Sequence, residues 1–286
     1  TAAQGDGDVM GIGRGKAMCQ LRACLRPGDE IAEAPAQLVV QDRRIPEEIA
    51  ALRLDRGIAF VDVEMAEGGF GGGDGIVTTP VGTNGGPGYD VAVQDDGKIV
   101  VAGYASSGNN DFAVVRYNAD GSLDTGFGGG DGIVTTDVGT GNDIGQSVTV
   151  QDDGKILVSG YSHNGTNYDI ALTRYNADGS LDTGFGGGDG IVTTDVSVEG
   201  DIARAAVIQP DGKIVLAGAA LNGDISPANS DFVIARLLPD GSPDFSFGSE
   251  GKVVLPFDLG GPEYRFDCAR DVAISVDGKI LVAGVV

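Results

Sequence analysis

The string FGGGDGIVTT begins at Phe70, Phe127 and Phe185, and a degraded copy, FGSEGKVV, begins at Phe247. The intervals are 57, 58 and 62 residues, so at least three consecutive units must fold alike. Other landmarks keep step. QDDGKIVVAGY at Gln94 returns as QDDGKILVSGY at Gln151, QPDGKIVLAG at Gln209 and SVDGKILVAG at Ser275. DFAVVRYNADGSLD at Asp111 returns as DIALTRYNADGSLD at Asp169 and DFVIARLLPDGSPD at Asp231. The fourth unit runs only to Val286, just past its VAG.

Inside a unit the apolar residues recur with a period of two, the mark of half-buried strands. In the second unit the expected strands are 133–138 (IVTTDV), 147–151 (SVTVQ), 155–161 (KILVSGY) and 168–175 (YDIALTRY). Asp152-Asp153-Gly154 is a turn, because its Gly tolerates positive φ and its Asp can accept from the backbone. Asn176-Ala177-Asp178-Gly179-Ser180 is another. Four short strands per tandem unit predict an all-β β-propeller built from four-stranded repeats of about 57–62 residues. No helical stretch occurs within a unit, which excludes leucine-rich and helical repeats. A β-solenoid is the structural alternative, although its rungs are usually shorter.

Composition follows the repeat. The 286 residues include 49 Gly, far more than a helical protein tolerates, since each helical Gly costs roughly 1 kcal/mol against Ala. The formal charge is −23. Residues 66–286 supply −20 of it, from 11 basic and 31 acidic side chains, so the acidity belongs mainly to the turns. An acidic surface without clustered Lys and Arg argues against nucleic-acid binding. One His removes multi-histidine metal sites and most triad chemistry. Cys19, Cys24 and Cys268 form neither an even disulfide framework nor a zinc pattern. No run approaches the length of a membrane-spanning helix.

Residues 1–57 form a separate, non-repeat segment. Pro46–Leu54 is predicted to be a short helix with Pro at its first turn and acids at its N-terminus. Residues 58–63 (IAFVDV) are strand-like and stand where the fourth strand of a preceding blade belongs. The repeat region is therefore 58–286, with units starting near 70, 127, 185 and 247. Its last unit has three strands and the N-terminal segment offers one. This allows a four-bladed ring closed by the N-terminal strand, which would remove open sheet edges. The alternative is an excerpt of a longer array.

The combination of D-G-K-I-x-V-A-G, the R-Y-N-A-D-G-S-L-D segment and the F-G-x-G-G turn at this period resembles the delta-60 repeat, over residues 70–286. That bacterial tandem repeat is grouped with β-propellers and is common in large exported or surface-associated proteins. The resemblance implies a fold and brings no catalytic residues. Here the third copy departs at Leu237-Leu238-Pro239 and the fourth loses the GGGDG form.

Candidate chemistry is sparse. Gly11, Gly13 and Gly15 lack the strand, helix and spacing of a phosphate-binding loop. Asp74, Asp131 and Asp189 sit in glycine runs similar to part of a calcium nonapeptide, but stacked calcium sites need copies every nine residues. In those runs Gly serves chain reversal and Phe127 plugs the space between blades. The turns bearing Asn118, Asp120 and Asp124, and Asn176, Asp178 and Asp182, place carboxylates around a Gly and are the candidate Ca²⁺ ligands. Asx turns explain the same residues. No other cofactor is expected. His163 is expected in a solvated loop. Arg116, Arg174 and Arg236 are expected to pair with the turn carboxylates.

The expected function is a non-enzymatic propeller, a secreted or cell-surface module whose loops contact a protein or carbohydrate. Repetition is its basis, because a catalytic constellation should break the symmetry. A metal-dependent, lactonase-like hydrolase or lyase is the alternative. It needs convergent polar residues on inner strands, where Thr135, Thr136, Thr193 and Thr194 are expected. A structural or filament role, with open sheet edges pairing between chains, is the third reading.

Overall fold

A computed structural model describes residues 58–61, 70–73, 75–221, 229–257 and 265–286. The predicted N-terminal helix, Cys19, Cys24, the glycines at 11–15 and Asp74 lie outside them.

The chain opens with β1 (Ile58–Val61), a single 3₁₀ turn (Phe70–Gly72) and β2 (Ile76–Thr79). Three groups follow: β3 (Gly88–Val93), β4 (Ile99–Ser106), β5 (Asn110–Tyr117) and β6 (Ile133–Thr136); β7 (Asp143–Val150), β8 (Ile156–His163), β9 (Tyr168–Tyr175) and β10 (Ile191–Thr194); β11 (Asp201–Ile208), β12 (Ile214–Leu221), β13 (Asn229–Leu237) and β14 (Lys252–Leu255). The chain ends with β15 (Arg265–Phe266), β16 (Cys268–Ile274) and β17 (Ile280–Val285).

Each group is one antiparallel sheet in sequence order, and β15 adds to β13 in parallel. The innermost strands β3, β7, β11 and β16 pack side by side from one sheet to the next. These sheets are the blades of a β-propeller. The blade boundary is offset by one strand from the sequence unit. Each IVTT strand closes the outer edge of the blade before it, as β6 does on β5 and β10 on β9. β1 lies on β2 with Ile58 opposite Thr79, the same register as Phe112 opposite Thr136, so it occupies the position expected for it. Among the described residues the end sheets β1–β2 and β16–β17 are not paired with each other, so the ring closure that the strand count allows is not seen among them.

That offset corrects one expectation. Thr135, Thr136, Thr193 and Thr194 lie on outer strands, far from the inner strands on which they were expected. Thr136 instead shares a hydrogen bond with the Tyr175 hydroxyl of the next blade at 2.7 Å.

Apolar residues fill the spaces between blades. Val100, Ala102, Phe112 and Val114 of one blade meet Val148, Ile156, Val158 and Tyr175 of the next, with Phe127 fully buried among them. Leu157, Ile170 and Leu172 meet Ile214, Leu216 and Val233 around Phe185 in the same way. Fully burying a side chain of this size contributes about 1.5–3 kcal/mol, which makes the repeated Phe a principal inter-blade anchor.

Three Arg–Asp clamps fix the outer turns, two of them buried and the third, at Arg236, half-buried. Arg116 Nε pairs with Asp124 at 2.7 Å, Arg174 with Asp182 at 2.7 Å and Arg236 with Asp244 at 2.8 Å. Each guanidinium also lies over the repeated ring, 4.5 Å from the Phe127 centroid, 4.3 Å from Phe185 and 4.5 Å from Phe247. Arg174 further donates to the Pro239 carbonyl in the following turn. The pairing expected from the sequence is thus present, and each Arg ties its own turn to the ring behind it.

Candidate functional site

Each of the four described inner strands carries one β-bulge, and the bulged residue differs between repeats. Pairing skips Tyr89 on β3, Gln146 on β7, Arg204 on β11 and Arg270 on β16. A bulge leaves one residue outside the ladder and re-aims its side chain, which is why bulges gather beside functional sites. Four equivalent positions thus hold a phenol, an amide and two guanidiniums.

The second strand of each blade makes room for the bulge. A Cβ on Gly160 would run into the Ile144 carbonyl oxygen, and one on Gly218 into that of Ile202. Gly103 and Gly284 stand in the same relation to Pro87 and Cys268. The glycine of the repeated V-A-G or V-S-G is therefore the partner of the bulge.

Three of these side chains, Tyr89, Gln146 and Arg204, form a polar cluster, and Arg270 is half-buried at its own bulge. Arg204 Nη1 donates to Gln146 Oε1 at 2.9 Å, and both residues are more than nine-tenths buried. Half-buried Tyr89 faces Tyr104 with ring centroids 6.0 Å apart. Burial raises the pKa of Tyr89, reinforced by Tyr104 and Tyr161, while the Arg204 charge pulls the other way. Tyr161 is raised by burial and opposed by the same guanidinium. Arg204 is thus a cation among neutral phenols, in a chain that is otherwise acidic. Tyr161 continues to Tyr168 at 5.2 Å, and Tyr168 to His163 at 4.9 Å, both edge to face. His163 is half-buried, its Nδ1 accepts from Gly165 N at 3.1 Å, and it ends β8 opposite Tyr168, so it is a strand residue and not the solvated loop residue expected.

This cluster was missed from sequence because the bulge interrupts the alternation. The strand expected at 147–151 starts one residue after Gln146, whereas β7 begins at Asp143. The strand glycine and the aligned column Tyr, Gln, Arg, Arg were the available signal.

The proposed calcium turns are placed elsewhere and are held internally. Asp120 Oδ1 accepts from the Ser122 amide and hydroxyl, at 2.9 and 2.6 Å, and Asp178 does the same with Ser180 at 2.9 and 2.6 Å. Asn118 and Asn176 donate to Ser122 and Ser180 across their turns. Asp124 Oδ2 pairs with Arg116 and with Lys98 at 3.3 Å, and its Oδ1 accepts from Gly126 N. Burial pushes Asp124 up, yet the Gly126 amide, Arg116 and Lys98 together hold it below the usual range. Asp182 has the same surroundings in Arg174, Lys155 and Gly184. Asx turns and ion pairs account for these six residues in the structure.

Three segments, residues 94–127, 151–185 and 209–247, match the family model described as a domain of unknown function (DUF5122) beta-propeller. Together with the sheets, this makes the chain a β-propeller repeat protein. No curated protein matches. Among solved structures the chain is similar to a protein of unknown function from Bacteroides caccae, at 15% identity and TM-score 0.41, over 73% of this chain and 57% of that one. It is also similar to an endo-1,4-beta-xylanase from Bacteroides thetaiotaomicron, at 15% identity and TM-score 0.40, over 73% and 82% of the two chains. An endo-arabinase from the same organism follows at 10% identity and TM-score 0.39, over 74% and 77%. The chain thus spans under two thirds of the Bacteroides caccae structure.

The expectation of a chain without enzymatic activity is corrected here. The solved structures similar to it are mainly enzymes, among them the xylanase and the arabinase. The likenesses themselves extend to the fold alone. The physical reason for the correction is that repetition accounts for the frame, while the bulge positions do break the symmetry. No helix among the described residues is long and apolar enough to cross a membrane.

Proposed function

We propose that this β-propeller repeat protein, exported or surface-exposed, binds an oligosaccharide bearing carboxylates. It would lie against the inner-strand bulges. The observation that carries this reading is the set Tyr89, Gln146, Arg204 and Arg270 at four equivalent bulges. Aromatic faces such as Tyr89 and Tyr104 suit the apolar face of a sugar ring, while Gln and Arg suit its hydroxyls and acid group. Guanidiniums at two of the four bulges of a chain of charge −23 favour a local anion over a neutral sugar.

The test is calorimetric titration with galacturonate oligosaccharides and their neutral galactose counterparts. The acidic series should bind, and Arg204→Gln should weaken it about tenfold or more, the worth of a charge-assisted hydrogen bond. Equal binding of both series, or of neither, overturns the reading.

A further inference from the structure

Two clusters of carboxylates lie outside that site, at equivalent places between successive blades. One joins Asp111 on β5, Asp137 just beyond β6 and Asp143 at the start of β7. The other joins Asp169 on β9, Asp195 just beyond β10 and Asp201 at the start of β11. In each, one oxygen from every residue lies within 4.8 Å of those from the other two. Among the described residues no Lys, Arg or His forms an ion pair with any of the six carboxylates, and Lys252 Nζ donates only to the Asp195 main-chain carbonyl.

Acid clusters on protein surfaces are common, but these have buried oxygens with no protein partner. Asp143 and Asp201 are 0% exposed and Asp169 is 8% exposed. Asp143 Oδ2 accepts from Val138 N and Gly139 N, and Asp201 Oδ2 from Val196 N and Ser197 N. In both residues Oδ1 is buried with no hydrogen-bond partner, as is Oδ1 of Asp111 and of Asp169. Leaving a buried acceptor unsatisfied is costly, and more so for a charged one. Asp169 Oδ2 likewise accepts from Asn164 Nδ2 at 2.8 Å, so in each of these residues it is one oxygen that accepts from nothing in the protein, faces two like charges and is arranged for a cation.

We propose that each cluster holds one divalent cation of the calcium class, giving two equivalent sites per chain. The donors are all oxygen, which excludes the soft transition-metal pattern. Ca²⁺ takes oxygen ligands at about 2.3–2.6 Å, so ligands on one ion lie at most about 5 Å apart. The observed 4.8 Å limit fits that sphere. The remaining positions would go to water or backbone oxygens, which Ca²⁺ accepts more readily than Mg²⁺. An ion here fastens the outer edge of one blade to the inner strand of the next, across the β6–β7 and β10–β11 crossovers. Neighbouring seams lack the full set, because Pro80 and Pro256 stand where Asp137 and Asp195 stand.

The sites are tested by calcium titration of the EDTA-stripped chain, read by calorimetry and by thermal melting. About two ions should bind and Tm should rise by several degrees. Asp195→Asn should leave one site, and the double variant Asp137→Asn, Asp195→Asn should lose the calcium response. Both positions are exposed, so these changes leave the blade interiors intact. Asp120→Asn with Asp178→Asn, in the outer turns, should keep it. The proposal is overturned if calcium produces neither heat nor a Tm shift, if the response survives the double variant, or if the outer-turn variant abolishes it. The wild-type stoichiometry decides the matter even if a variant fails to fold.

Discussion

Arg204 reaches from the bulge of one inner strand to the Gln146 amide oxygen on the bulge of the strand before it, 2.9 Å away. Two positions that are equivalent by repetition thus hold different residues that complement each other. Neither could serve this way if the units were identical, since two guanidiniums would repel and two amides would carry no charge.

Replacing Arg204 by Met strips the donor from Gln146 Oε1 in a buried setting. The expected cost is about 1–3 kcal/mol, the penalty of an unsatisfied buried acceptor. Urea unfolding of Arg204→Met measures it. A double change with Gln146→Leu should recover much of the loss, because neither polar partner then remains.

Asp182→Asn leaves Arg174 without its carboxylate in a pocket where both side chains are about nine-tenths buried. Breaking a buried pair costs about 3–5 kcal/mol. Arg174→Lys should cost less, about 1–2 kcal/mol, since Lys keeps the charge but not the planar contact with Phe185 or the reach to Pro239. Unfolding of the two variants under one condition checks the order.

Gly160→Ala places a methyl against the Ile144 carbonyl oxygen, so β7 must move. Overpacking of this kind costs about 1–3 kcal/mol. The change should also displace Gln146, so Arg204→Met in the same chain should cost less than it does alone. That non-additivity is the expected readout of a glycine that serves the bulge.

Two sets of carboxylates pull the pH dependence in opposite senses. Burial raises Asp201 to about 6, with Asp195 adding to the shift. A raised carboxyl binds its proton more tightly in the folded chain, so without calcium stability should increase as pH falls from about 7 towards 4. Asp244 is held down at about 2, first by the Ser246 hydroxyl and then by its amide and Arg236. Asp124 and Asp182 are lowered as well. Their contribution is present above the normal carboxylate pKa and is lost as pH falls from about 4 towards 2. Thermal melts in EDTA should therefore peak between these windows. Calcium should flatten the rise above pH 4, since it favours ionised Asp201.

The blades, their turns and the Arg–Asp clamps were legible in sequence because each is local or nearly so. Gly154 was expected to take positive φ in its turn and has φ 82°, and Arg174 meets Asp182 only eight residues away. Such features recur with the repeat, and recurrence separates them from noise. The bulge and carboxylate positions depend on contacts between units. Asp111 and Asp143 belong to different blades, and nothing in their local strings marks them as neighbours. Gln146 and Arg204 are 58 residues apart and meet only because the inner strands pack side by side. Sequence alone determined the period, the strands and the acidic, glycine-rich turns, through alternation and backbone preference. Tertiary structure decided where the blade boundary falls, which strand lies innermost, and which side chains the bulges turn inward. Those follow from sheet pairing and burial, which couple residues that the chain keeps far apart.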